Sequence, residues 1–132
     1  NWIIAVRGVA PDNSEYEVTR GWLKASHRAV DESRSETWKP YHPHVDPEPV
    51  APGEIYQYNI ELSPTSYVFK AGHRIKLLIS SMDHIVSLKT TPAVGAVHMP
   101  FHVCGSKTTL HKIFHDDEHP SHLLVPIIPK EG

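Results

Sequence analysis

The constraint that most limits this chain is a period of two in its apolar residues, repeated in short runs and never replaced by a sustained helical period. In the segment 54–62, Tyr56, Tyr58, Ile60 and Leu62 alternate with Gln57, Asn59 and Glu61. Successive side chains of a strand point to opposite faces, so this pattern predicts one buried and one wet face. The same alternation recurs in 74–81, where Ile75, Leu77 and Ile79 form the expected inward set and Arg74, Lys76 and Ser80 the outward one. No amphipathic stretch longer than about two helical turns competes with these runs.

Other runs fit the same architecture. From Trp2 to Ala10 apolar residues fall on both faces, as in a strand covered on both sides. Pro11, Asp12, Asn13 and Ser14 then supply turn chemistry, because proline fixes φ and the Asp and Asn side chains bond nearby backbone. A hairpin back into 16–28 follows, with Gly21 marking an expected bulge or bend. Between 29 and 53 the five residues Pro40, Pro43, Pro47, Pro49 and Pro52 predict a long surface loop, since each lacks a donor and restricts its predecessor. Short apolar pieces at 99–104, 108–114 and 122–128 complete about seven expected strands. Strands without intervening helices argue for an all-β sandwich or barrel and against a parallel βαβ arrangement.

A length of 132 residues suits a single domain with a real core, and 39% hydrophobic with 21% charged residues is ordinary for a folded chain. Formal charge is −2 with Lys and Arg scattered, which disfavours nucleic acid as a partner, and no apolar run is long enough to span a bilayer. The single cysteine, Cys104, cannot form an internal disulfide, so a reducing cytoplasm is the expected location. No cofactor is expected.

Gly-x-Ser-x-Gly, the elbow that exposes a hydrolase nucleophile, does not occur anywhere in the chain. Ser80 or Ser81 with Asp83 and His84 offers the right residue types, but neighbours at a strand end diverge onto opposite faces rather than converging. Cys104, flanked by Val103 and close to Phe101, reads as a small core residue rather than a nucleophile. His98, His102, His111 and His115, followed by Asp116, Asp117, His119 and His122, are metal-ligand types at even spacing. Residues four apart on a strand are separated by about 13 Å, however, so a metal would need ligands from different strands. No metal is expected. Trp38, Tyr41, His42 and His44 lie in the proline-rich loop, where indole, phenol and imidazole groups are suited to lining a substrate entrance. Trp22 and Trp38 also suit a domain interface.

Six blocks in order then carry a resemblance. Thr19-Arg20-Gly21-Trp22-Leu23-Lys24-Ala25-Ser26-His27-Arg28 is followed by Pro52-Gly53-Glu54, by Ile60-Glu61-Leu62 and by the run Thr65 to Ile75. Ile79-Ser80-Ser81 and the run Glu118 to Ile128 close the series. Together they resemble the C-terminal domain of the CocE/NonD (X-Pro dipeptidyl-peptidase-like) α/β-hydrolase family. That resemblance implies a jelly-roll (galactose-binding-like) β-sandwich lacking its first strands, spanning 1–132 as one domain. It also implies that the catalytic Ser, His and Asp lie on an upstream α/β-hydrolase domain, the expected partner. An open sheet edge at the start of the chain would then pair with a second copy or with the missing N-terminal segment. After Ser81 the chain reads Met82-Asp83-His84-Ile85-Val86 where many relatives carry a Phe-Pro-Arg loop, so the relatives' substrate choice does not carry over. A free-standing carbohydrate- or peptide-binding module is the alternative.

Overall fold

The computed structural model describes residues 1–81 and 108–129. The chain divides into two compact units, Asn1–Phe101 and His102–Gly132. Among the described residues the architecture is all-β: three strands and two single 3-10 turns, Ala25–His27 and Glu32–Arg34.

In the first unit, β1 (Trp2–Val9), β2 (Glu15–Leu23) and β3 (Arg74–Ser80) form one antiparallel sheet of order β2-β1-β3. The predicted hairpin is present. Asn13 takes a left-handed φ of 65°, and the Asp12 carboxylate accepts from the Ser14 amide at 2.9 Å and the Ser14 hydroxyl at 2.6 Å. Those bonds hold the Asp12 carboxyl below its usual range. As its two-sided apolar pattern required, β1 is central, and Ile3, Ile4, Ala5, Val6 and Val9 are buried with Leu23 of β2.

Cross-strand pairing assigns two faces. On the first, Ile4, Val6 and Gly8 sit beside Gly21, Thr19 and Tyr16 of β2 and Ile79, Leu77 and Ile75 of β3. On the second, Ala5, Arg7 and Val9 sit beside Arg20, Glu17 and Glu15, and Leu78, Lys76 and Arg74. This second face carries ion pairs: Arg20 to Glu17 at 2.6 Å, and Glu15 shared between Lys76 at 2.7 Å and Arg7 at 3.3 Å. Surface pairs of this kind add little stability.

The bulge predicted at Gly21 lies instead three residues earlier. Thr19 pairs with Val6 and Glu17 with Arg7, so Val18 is the extra residue. The inserted residue shifts the phase of β2, which puts Tyr16 and Thr19 on one face and Glu17 and Arg20 on the other. Gly21 has a different duty: a Cβ there would run into the backbone carbonyl of Glu61. Its missing side chain lets 61–63 lie against β2, where the Ser63 amide donates to Arg20 O at 2.9 Å and Thr19 Oγ1 donates to Ser63 O at 2.5 Å.

Residues 58–73 thus cover the first face on its β2 side. Tyr58 meets the Trp2 ring edge-on at 5.5 Å, and Tyr67 packs on Tyr16 at 5.3 Å. Tyr16 in turn covers Gly8 and shares a 2.9 Å hydrogen bond with His73 Nδ1. The β3 side is less covered: Ile75, Leu77 and Ile79, expected inward, remain 54%, 41% and 39% exposed. The strand expected at 54–62 forms no ladder among the described residues, although Tyr56, Tyr58 and Ile60 are more covered than Gln57 and Asn59. Alternation records which side chains are covered; a ladder needs a neighbouring strand, and 54–62 has none among these residues.

In the second unit, the described residues 108–129 likewise hold no ladder where strands were expected at 108–114 and 122–128. Its local order is a turn at Asp116, whose Oδ1 accepts from the amides of His119 at 2.7 Å and Glu118 at 3.1 Å, lowering the Asp116 pKa. The expected piece 99–104 lies outside the described residues, as do Asp83, His84, His98, His102 and Cys104.

Candidate functional site

The loop after β2 is ordered by its own polar groups. Asp31 precedes the second 3-10 turn in extended conformation, and its carboxylate accepts from the Ser33 amide at 3.0 Å and hydroxyl at 2.6 Å. Across the loop mouth the Asp31 amide donates to Tyr41 O at 2.9 Å. Ser35 links the same two residues from inside, its Oγ donating to Asp31 O and accepting from the Tyr41 amide, each at 2.8 Å. Glu36 and Lys39 close a tight turn through reciprocal backbone bonds of 3.0 and 2.9 Å. Trp38 stands on that turn, 57% exposed.

Aromatic and cationic groups gather around this frame. The Arg34 guanidinium stacks on the Tyr41 ring at 3.7 Å, and Arg28 stacks on Tyr56 at 4.2 Å. Arg28 also pairs with Glu48 at 2.8 Å and donates to Glu48 O at 2.8 Å, tying the far arm of the loop to the first 3-10 turn. His42 and His44 approach to 6.0 Å between ring centroids, and His44 stands 5.8 Å from His27. The turn that brings His44 there has left-handed backbone, φ 57° at His44 and 48° at Asp46.

Of the four residues expected to line a site, the structure joins His42 and His44 in one imidazole cluster and sets Tyr41 under Arg34. Trp38 projects from the tip. His27, Arg28 and Arg34 also stand at the site without being expected there; the only sequence signal for the first two is their place at the end of the Thr19-to-Arg28 block. Trp22, expected at an interface, is 55% exposed with Arg20 over its ring at 5.8 Å.

What the arrangement can do is recognise, by stacking and hydrogen bonding. Ser26 Oγ lies 3.1 Å from His27 Nδ1, but the two are chain neighbours on one turn and no carboxylate among the described residues orients the ring. No group of three or more His, Cys, Asp or Glu side chains among the described residues is placed to hold a metal ion. No helix among them is long and apolar enough to cross a membrane.

Comparison with known proteins supplies the remaining facts. The family model described as the X-Pro dipeptidyl-peptidase C-terminal non-catalytic domain matches residues 1–124. Cocaine esterase of Rhodococcus sp. (strain MB1 Bresler) is 34% identical over 86 residues, covering 65% of this chain and 15% of the esterase. Inferred serine esterases of Mycobacterium bovis and Mycobacterium tuberculosis are each 33% identical over 86 residues, covering 62% of this chain and 14% of theirs. The match therefore spans about one seventh of the length of these curated relatives. No solved structure matches the chain significantly.

Proposed function

The chain belongs to the family of X-Pro dipeptidyl-peptidase C-terminal non-catalytic domains, and on that premise we propose that it is the accessory domain of a serine hydrolase acting on esters or X-Pro peptides. The nucleophilic serine, its base and its acid sit on an α/β-hydrolase domain elsewhere in the same protein. This domain shapes the substrate pocket and supplies packing or oligomer contacts. Residues 1–132 act as one jelly-roll domain; the family match, running from 1 to 124 through both compact units, supports reading them together.

The observation that carries the reading is the match to a non-catalytic family by a chain without Gly-x-Ser-x-Gly. The esterase names of the relatives favour ester hydrolysis as the chemistry of the whole protein. Trp38, Tyr41, His42 and His44 are the residues we assign to the pocket wall. An exposed indole on a turn closed by its own backbone bonds loses little freedom when it meets an acyl group or an aromatic leaving group.

The test is kinetic. Full-length protein and its Trp38→Ala and Tyr41→Phe variants are assayed with a series of p-nitrophenyl esters and X-Pro-nitroanilides. A change of threefold or more in relative kcat/KM between short and bulky acyl groups supports the pocket-wall role. Variants that treat every substrate as the parent does would refute it, leaving packing alone.

A further inference from the structure

His42 is held from both sides. Its Nδ1 lies 2.9 Å from the carbonyl oxygen of Ala29, and its Nε2 lies 2.8 Å from that of Asn59. A carbonyl oxygen carries no proton, so each of these hydrogen bonds requires the ring nitrogen to donate. Neutral imidazole has one N–H and one lone pair; only imidazolium donates from both nitrogens. Both bonds can be made at once only by a ring that carries two N–H groups, and together they bridge the entry of the loop to the arm that leads toward β3.

We propose that His42 is a proton-dependent clasp, which as imidazolium locks the 29–44 loop onto residue 59 and on losing one proton releases one of the two attachments. In the neutral ring a lone pair would face a carbonyl oxygen at hydrogen-bond distance, and that contact turns repulsive. The segment secured this way includes Trp38 and Tyr41, so the clasp sets how firmly the tip of the loop is presented. The inference stands on these two bonds and does not need the pocket-wall assignment.

Besides His42 the loop carries Asp31, Glu32, Arg34, Glu36, Lys39, Tyr41 and His44; Glu36 and Lys39 lie on the turn at its tip, and Arg34 stacks on Tyr41. His44 lies on the same loop at 6.0 Å, and His27, on the Ala25–His27 turn, lies 5.8 Å from His44. Arg28 and Glu48 neutralise each other at 2.8 Å, with Tyr56 beneath Arg28. Asp31 is occupied by Ser33, and Glu61 lies two residues beyond Asn59. Protonation of His27 or His44 would oppose the cation at His42, so those two histidines act against the clasp and serve as controls.

Hydrogen–deuterium exchange on the full-length protein tests this. Imidazole C2–H exchange in the same samples reports the pH range over which His42 changes protonation. Across that range, amide protection in peptides covering 29–44, corrected for intrinsic exchange, falls about tenfold or more as pH rises, the effect of losing one charge-assisted bond. His42→Gln gives the weakly protected loop at every pH, while His27→Gln and His44→Gln retain the transition. Protection that stays flat while His42 titrates, or a transition that survives in His42→Gln, would overturn the proposal.

Discussion

Gly21 offers the sharpest test of how the first unit is assembled. Replacing it with alanine puts a methyl group where the Glu61 carbonyl lies, and that neighbour is backbone, which cannot rotate away as a side chain would. The 61–63 segment has to lift, and it takes with it the Ser63 to Arg20 bond at 2.9 Å and the Thr19 to Ser63 bond at 2.5 Å. Overpacking of this kind costs about 1–3 kcal/mol and each lost bond about 0.5–1.5 kcal/mol. The lower chain entropy of alanine returns about 0.5–1 kcal/mol. The net loss is about 1–5.5 kcal/mol, measurable by urea denaturation. Gly8→Ala is the comparison, because there the methyl group meets the movable ring of Tyr16 and the loss should be smaller. Thr19→Val alone should cost about 1 kcal/mol, yet less than about 0.5 kcal/mol when Gly21 is already alanine, since the partner has moved. Additive losses, or a Gly21→Ala variant more stable than Gly8→Ala, would refute this account of the packing.

Ile4, 9% exposed on the central strand, should cost about 2–5 kcal/mol on truncation to alanine, and Leu77, 41% exposed on β3, clearly less; equal losses would contradict the assignment of the core. Tyr67 is pushed up to about 12, first by its hydrogen bond with Tyr16 and then by burial. Its contribution to stability is therefore complete below pH ~10, the ordinary tyrosine value, and lost as pH rises toward about 12. Tyr16→Phe should move that ionisation back toward the ordinary range in an ultraviolet titration. Asp12 is lowered chiefly by the Ser14 hydroxyl, so its contribution is present above pH ~3.9 and lost as pH falls below that value. Ser14→Ala should raise the Asp12 carboxyl in a 13C titration, and an unchanged midpoint would remove the turn from the acid response.

Much of the sheet was legible in the chain. Apolar residues on both faces made β1 central, the Pro11-to-Ser14 turn made the hairpin, and alternation from Arg74 onward gave β3. The phase of β2 was not legible, because a bulge at Val18 depends on cross-strand register, whereas Gly21 advertised a need for space without saying which backbone would fill it. The covering of β3 was not legible for a related reason: Ile75, Leu77 and Ile79 share the face of Ile4, Val6 and Gly8 as their pattern requires, but exposure depends on what crosses them, and among the described residues 58–73 crosses the β2 side. At the loop, aromatic and imidazole residues marked Trp38 to His44 as a unit. Their partners Arg34 and Arg28 were hidden, since a cation over a ring is a matter of loop geometry with no sequence period. His27 joined the cluster only through the left-handed turn at His44.

The central claim is that bond cleavage belongs to residues outside this domain. A fluorophosphonate probe reacts with the activated serine of a serine hydrolase, and peptide mapping of the labelled full-length protein locates the modified residue. The account predicts a single labelled serine outside residues 1–132 and no labelling or ester hydrolysis when these residues are expressed alone. A probe-modified serine within 1–132, with hydrolysis that persists in the isolated chain, would contradict it.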